Sequence, residues 1–343
     1  MSILFEFIYA KFHKPKDFKY SFAGKTVVVT GANTGVGYEA ALKFVQQGAS
    51  KVILAVRSIK KGEDARSRIE AVVGNKKGKE AGSVEVWELD MLSYPSVKAF
   101  AARADKELAR LDYAILNAGV SPAKYEQSPY GWEQALQVNV LSTTLLALLL
   151  LPQMRRTSEI AGDFTPVLEI VSSGMSYYFS KLKDSNKGHL QAYNNPETWV
   201  GITAYGISKV FLEFAKVGLA GLAKPEGSPK ADVFVIDVCP GPTRSELARD
   251  QTAWYLRAAI AVFAATMQHS TETGSRTYIS GVMQGEKGHS GFWQYDRFKE
   301  PTPLQSNDKD GKLQAKLWAE IIGALEKDVP EVRELVTTSK QYS

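Results

Sequence analysis

Thr30-Gly31-Ala32-Asn33-Thr34-Gly35-Val36-Gly37 follows directly on the apolar run Lys25-Thr26-Val27-Val28-Val29, and apolar side chains recur at helical spacing through residues 38–47 after it. A buried strand that turns on glycines into a helix is what a dinucleotide requires. The backbone must turn tightly and approach the pyrophosphate, and the amides at the helix N-terminus stabilise its charge. The spacing is Gly-x-x-x-Gly-x-Gly rather than the commoner Gly-x-Gly-x-x-Gly. Gly31, Asn33, Thr34, Gly35, Val36 and Gly37 are therefore the candidate pyrophosphate turn.

Outward from this turn, short β-branched or apolar runs recur at 52–56, 84–89, 113–116, 167–171 and 233–238, bounded by turn residues. They read as buried parallel strands. Amphipathic stretches of helical length lie between them at 60–73, 96–109, 130–154 and 204–222. The alternation predicts an α/β fold, a Rossmann-type doubly wound parallel sheet. With no linker, repeat or low-complexity tract, a single domain is expected over 22–300, carrying variable substrate-binding insertions at about 180–201 and 244–275. An extension, 1–21, precedes it, and a C-terminal extension, 301–343, is expected to pack on it.

Tyr205 and Lys209 stand in Thr-Ala-Tyr-Gly-Ile-Ser-Lys. On a helix they share one face, so the ammonium is expected to favour ionisation of the phenol and lower its pKa from about 10. That arrangement tunes a proton donor for carbonyl chemistry. The second strand ends at Arg57, where an NAD site would place a carboxylate. A guanidinium suits a 2′-phosphate, so NADP(H) is the expected cofactor, with Lys61 beside it. Asp90 ends the third strand, placed either to accept from the adenine amino group or to cap the helix that follows.

The 343 residues are 44% hydrophobic with a net charge of +5, and the basic residues are interspersed with acidic ones. The cluster Lys76, Lys77 and Lys79 reads as a solvated loop, so no nucleic-acid partner is expected. Cys239 is the only cysteine. It permits no intramolecular disulfide and reads as core. His13, His189, His269 and His289 lack zinc-ligand spacing, and no metal is expected. The apolar run at residues 3–9 is shorter than the roughly 20 residues a bilayer span needs and has no signal-peptide pattern. A cytoplasmic protein is expected; a packed helix and a peripheral membrane contact are both open for this run.

With those residues in view, the chain resembles the short-chain dehydrogenase/reductase family over about residues 22–300. Thr30 to Gly37 resembles its Thr-Gly-x-x-x-Gly-x-Gly turn, Leu89-Asp90 its adenine position, and Asn117-Ala118-Gly119 the Asn-Ala-Gly after its fourth strand. Asn139 resembles its helix asparagine, and Ile170-Val171-Ser172-Ser173 the strand end whose second serine is catalytic. Pro240-Gly241 with Thr243 resembles the loop that holds the nicotinamide. The run Val52 to Ser58, with Lys61-Gly62 after it, is similar to the NADP(H)-using retinol-dehydrogenase-like branch. Two features depart from the pattern. Tyr205 follows Ser173 by 32 positions, longer than the common separation, and the apolar segment 254–267 falls in the variable substrate region as a lid, a membrane contact or a dimer contact.

The resemblance implies reversible hydride transfer between nicotinamide and a carbonyl carbon. Tyr205 would supply the proton, Lys209 would bind the nicotinamide ribose, and Ser173 would orient the carbonyl, with Ser172 its rival. Asn139 would hold a water that links Lys209 to solvent. The expected activity is an NADPH-dependent reductase of a lipophilic ketone or aldehyde, reversibly an alcohol dehydrogenase. A polyketide-like intermediate, a retinoid and a steroid are all admitted, a secondary-metabolite biosynthetic intermediate being favoured. Non-redox dehydration or cyclisation, and a catalytically silent NADPH-binding protein, are the alternatives. A homodimer through the helices carrying Asn139 and Tyr205 is the pairing common in the family.

Overall fold

The computed structural model describes residue 9 and residues 11–74, 82–244 and 268–341. The lysine cluster at 76–79, the apolar run at 3–8 and the segment 254–267 lie outside the described residues. Eight strands form one sheet in the order β3-β2-β1-β4-β5-β6-β7-β8. β1 (Thr26–Thr30), β2 (Lys51–Val56), β3 (Ser83–Glu88), β4 (Tyr113–Leu116), β5 (Val167–Val171) and β6 (Phe234–Val238) match the six expected strands within a residue or two. β7 (Phe292–Gln294) extends the parallel sheet, and β8 (Arg297–Phe298) closes it as an antiparallel hairpin partner. These two strands have only three and two residues, too few to leave a period in the sequence.

Both faces of the sheet are covered, which explains continuous apolar strands rather than alternating ones. Val28, Ile53, Ala114 and Leu168 face one core, and Val27, Val29, Val52 and Leu54 the other. On the second face lie α1 (Gly35–Gln46), α2 (Ile59–Gly74) and, late in the chain, α7 (Thr271–Val282). On the first lie α3 (Tyr94–Glu107), α4 (Thr143–Ala161) and α6 (Gly201–Leu222). Phe211, Phe214 and Leu219 of α6 are completely buried, each contributing roughly 1.5–3 kcal/mol relative to exposure.

Leu136–Ala161 is long and apolar enough to cross a bilayer, where the sequence leads one to expect an amphipathic helix over 130–154 and no spanning helix. Its most apolar window is 89% buried inside the fold, so it reads as a core helix. Its first turns, Leu136–Ser142, are π-helical and carry Asn139. Such widened turns are frequent at functional sites.

The long connection after Ser173 holds α5 (His189–Tyr193) and packs against the C-terminal part of the chain. That part holds α8 (Pro303–Asn307), α9 (Lys312–Glu326) and α10 (Val332–Gln341). Leu190 donates its backbone N–H to Glu320 at 2.9 Å, and Lys316 pairs with Asp184 at 2.8 Å. α9 lies on α6, where the Trp318 ring takes the place of a side chain at Gly218: a Cβ there would stand 2.3 Å from it. Gln314 Nε2 also donates to the Phe214 carbonyl at 2.9 Å, and α10 packs on α4.

The strand order reverses at β1, with β2 on one side and β4 on the other. Helices leave in opposite directions there, opening a crevice beyond the strand ends. Gly31 and Asn117 lie in it.

Candidate active site

The turn after β1 is built around glycine geometry. Gly31 and Gly35 have φ of 66° and 62°, a region costly to other residues. Gly37 is constrained by space instead: a Cβ there would lie 2.7 Å from the Gly31 carbonyl oxygen and 2.4 Å from Asn117 Nδ2. Asn117 cannot easily yield, because its Nδ2 donates to the Thr30 carbonyl at 2.8 Å and its Oδ1 accepts from the Tyr278 hydroxyl at 2.8 Å. Ala118 N–H donates to Thr30 Oγ1, completing a stitch between β1 and β4. Burial pushes the Tyr278 hydroxyl well above its ordinary value, so it remains a donor.

A cavity of about 1610 Å³ runs from this turn across the strand ends. At one end, Arg57 and Lys61 line it, and neither side chain has a carboxylate partner among the described residues. Asp90 lines the same region, but its Oδ1 accepts from the Leu92 N–H at 3.0 Å, while Ser93 caps α3. At the other end stand Ser173, Tyr205, Lys209, Pro240, Gly241 and Thr243. Bare glycine backbone at a helix start, cations without a carboxylate partner among the described residues at one end, and a tyrosine and a lysine at the other fit a nicotinamide dinucleotide.

The face of α6 that carries Tyr205 and Lys209 bears on the end of β5. Lys209 is 4% exposed, and its Nζ donates to the Val171 carbonyl at 2.7 Å. Burial lowers its pKa from 10.5 to about 8, although Asp237, Cys239 and Glu213 oppose that fall. Tyr205 is half-buried and hydrogen-bonded to Ser173; burial pushes its hydroxyl up to about 12, against the opposing effect of Ser173. The expectation that Lys209 lowers the Tyr205 pKa is therefore corrected. The ammonium stands 5.8 Å from the centre of the tyrosine ring and is directed to Val171 rather than to the hydroxyl. Ser173 is the group that favours the phenolate here.

The rival serines separate cleanly. Both serines line the cavity, but Ser172 Oγ donates to Glu213 Oε1 at 2.6 Å in a fully buried contact, whereas Ser173 is hydrogen-bonded to Tyr205. Asn139 grips the loop after β4: its Nδ2 donates to the Val120 carbonyl and to Ser208 Oγ, both at 2.9 Å, and its Oδ1 accepts from the Val120 N–H at 2.8 Å. Gly119 fits closely between Asn139 and Lys209.

Cys239 is buried, yet it lines the cavity instead of only filling core. Its sulfur accepts from the N–H of Gly174, the N–H of Gly241 and Gln294 Nε2, joining the serine loop, the Pro240-Gly241 loop and β7.

Several contributors were not legible in the sequence. Tyr278 sits in a helix with no motif. Tyr295 reaches the site from the β7–β8 turn, its ring covering Gly241, where a Cβ would come within 2.9 Å. That turn has φ of 54° and 55° at Tyr295 and Asp296, left-handed positions usually signalled by glycine or asparagine. Asp296 secures it by accepting from the Lys16 N–H and Ser280 Oγ.

The family model for short chain dehydrogenases matches residues 25–172. The chain is 39% identical over 339 residues to short-chain dehydrogenase/reductase ffsI of Aspergillus flavipes, spanning 98% of this chain and 96% of that protein. It is 37% identical over 331 residues to short-chain dehydrogenase/reductase phmF of Phaeosphaeria nodorum, spanning 96% and 95%. A crystal structure of an uncharacterized protein from Mycobacterium paratuberculosis matches with a TM-score of 0.63 at 25% identity, over 92% of this chain and 97% of that one. The RhlG/NADP complex of Pseudomonas aeruginosa shares the fold, with a TM-score of 0.58 at 23% identity over 81% and 97%. The chain belongs to the short-chain dehydrogenase/reductase family. It is thereby an oxidoreductase of a family that binds a nicotinamide cofactor.

Proposed function

We propose that the protein is an NADPH-dependent reductase, reversibly a dehydrogenase, of a ketone or aldehyde on a lipophilic small molecule. The observation that carries this reading is one cavity with Arg57 at one end and the Ser173, Tyr205 and Lys209 side chains at the other. Bound nicotinamide supplies the hydride. Ser173 orients the carbonyl oxygen, and Tyr205 delivers its proton to the oxygen as negative charge develops there. Lys209, anchored on the Val171 carbonyl, holds the nicotinamide ribose. Asn139 fixes Val120 and the loop beside the lysine, the side on which proton resupply from solvent is proposed. Val120, Tyr177, Tyr178, Ile202 and Phe298 line the substrate end, supporting an apolar substrate such as a biosynthetic intermediate. Loss of nicotinamide absorbance with a panel of lipophilic ketones and aldehydes tests the reading; turnover confined to small polar sugars would count against it.

Arg57 carries the choice of cofactor. Arg57→Ala is expected to weaken NADPH binding by about ten- to a hundredfold, the loss of a charged hydrogen-bonding partner, and to leave NADH binding nearly unchanged. Nicotinamide fluorescence titrations check this. Equal weakening of both cofactors would remove Arg57 from the 2′-phosphate site.

We infer further that the chain does not pair through the helices common to the family. α9 and α10 lie on α6 and α4, with Trp318 seated against Gly218. Hydrogen exchange is expected to show no concentration-dependent protection of α4 or α6; a dimer of twice 37.7 kDa that protects these helices would contradict it.

A further inference from the structure

Beneath the catalytic pair lies a second cluster with no part in the reaction described so far. Tyr205, Lys209 and Glu213 succeed one another at intervals of four on α6, so they share a face. Glu213 is 1% exposed and Asp237 is fully buried, on the neighbouring strand β6. The two carboxyl groups face each other, and neither Asp237 oxygen has another hydrogen-bond partner. Two carboxylates cannot both remain charged in such a place without strong repulsion, so the pair holds a shared proton. Burial, reinforced by Glu213, pushes the Asp237 carboxyl well above its ordinary value, making Asp237 the protonated member.

The surroundings of the pair are nearly closed. Lys209 and Lys216 face it from α6, and Cys239 lies near it just beyond β6. Lys216 donates to the Ser290 carbonyl at 2.6 Å, with His289 nearby. Glu169 of β5 lies on the opposite face of the sheet, against Gly281. Ser172 donates to Glu213 at 2.6 Å. Ser172 stands between Val171, whose carbonyl holds Lys209, and Ser173, which faces Tyr205. Glu213 therefore fastens the one short segment that sets the position of both groups.

We propose that Glu213 and Asp237 are positioning residues for the reaction, a proton-sharing pair that anchors the end of β5 and sets one negative charge beside the buried Lys209 ammonium. The proposal rests on the Tyr205–Lys209 reading of the site. An ammonium with a single protein acceptor among the described residues is costly to bury, and a nearby anion keeps it charged. Glu213→Gln removes the charge and keeps an oxygen for Ser172. Asp237→Asn removes the shared proton's second site, and Glu213→Ala removes the anchor as well.

The test follows NADPH affinity by nicotinamide fluorescence, and reduction of decanal as a lipophilic aldehyde probe, across pH 6–10. In the wild type, NADPH affinity is expected to fall above about pH 8, where Lys209 loses its proton. In Glu213→Gln the fall moves about one pH unit lower, giving about fivefold weaker binding than wild type at pH 8 and equal binding at pH 6. Asp237→Asn, which keeps Glu213 as the one negative charge, leaves the fall at its wild-type position; a shift to lower pH in this variant would place the charge on Asp237 and contradict the assignment. Glu213→Ala repeats the Gln shift and also raises KM for decanal, because Ser173 loses its anchor. Glu213→Gln and Glu213→Ala profiles that superimpose on wild type, or losses equal at pH 6 and pH 8, would overturn the proposal. If wild type binds NADPH but leaves decanal untouched, the choice of substrate or the reductase reading is what fails. The affinity profiles still decide the role of Glu213.

Discussion

Tyr205→Phe lowers kcat for carbonyl reduction at least about a hundredfold, the scale of a lost general acid, while NADPH binding stays nearly unchanged. The ring remains to fill its half-buried place, so the fold is retained; only the proton is gone. Ser173 and Lys209 stay in position, because Lys209 is held by Val171 and not by the tyrosine hydroxyl. Steady-state kinetics and cofactor titration on the same preparation separate the two effects. Loss of NADPH binding together with turnover would show a structural role instead.

The wild-type pH profile carries the same logic. Burial has brought Lys209 down to about 8, so its ammonium is complete at pH 6 and disappears as pH rises through that value. Tyr205, pushed up to about 12, remains a phenol throughout this range. Reduction is therefore expected to be flat in acid and to decline above about pH 8, while alcohol oxidation, which needs the phenolate as base, rises with pH.

Gly37→Ala abolishes measurable cofactor binding, an effect of steric origin. The added Cβ meets the Gly31 carbonyl oxygen at 2.7 Å and the immobile Asn117 amide at 2.4 Å. Relief requires the turn to move away from β4, which separates the backbone amides from the pyrophosphate. Such overpacking costs roughly 1–3 kcal/mol of stability, visible as a lower Tm. Gly35 is the control: a Cβ there meets nothing, although φ is 62°. Gly35→Ala is expected to cost about 1–2 kcal/mol of backbone strain and to retain weakened NADPH binding. Wild-type affinity in Gly37→Ala would show that the turn does not hold the dinucleotide.

What could be read from the sequence depended on how each feature is encoded. Strands buried on both faces produce apolar runs, and a pyrophosphate turn needs glycines at fixed offsets, so β1 to β6 and residues 31–37 were legible. Tyr205 and Lys209 were legible through their spacing, and the structure places both on the cavity. The direction in which Lys209 points was not: it depends on the Val171 carbonyl, 38 residues away. The two- and three-residue strands β7 and β8 leave no periodicity, and their connecting turn uses Tyr295 and Asp296 where glycine would have announced it. Glu213 lies at the next helical interval after Lys209, but a glutamate on a helix ordinarily reads as solvated. Only the packing of that face of α6 against Ser172 and Asp237 at the ends of β5 and β6 shows otherwise.

The most direct measurement is a single turnover with NADPH deuterated at the transferable C4 position and a lipophilic aldehyde or ketone that consumes it. One deuterium on the carbinol carbon for each NADPH oxidised is the expected result. Product that forms without deuterium, or without loss of NADPH, would contradict carbonyl reduction at the Tyr205 site.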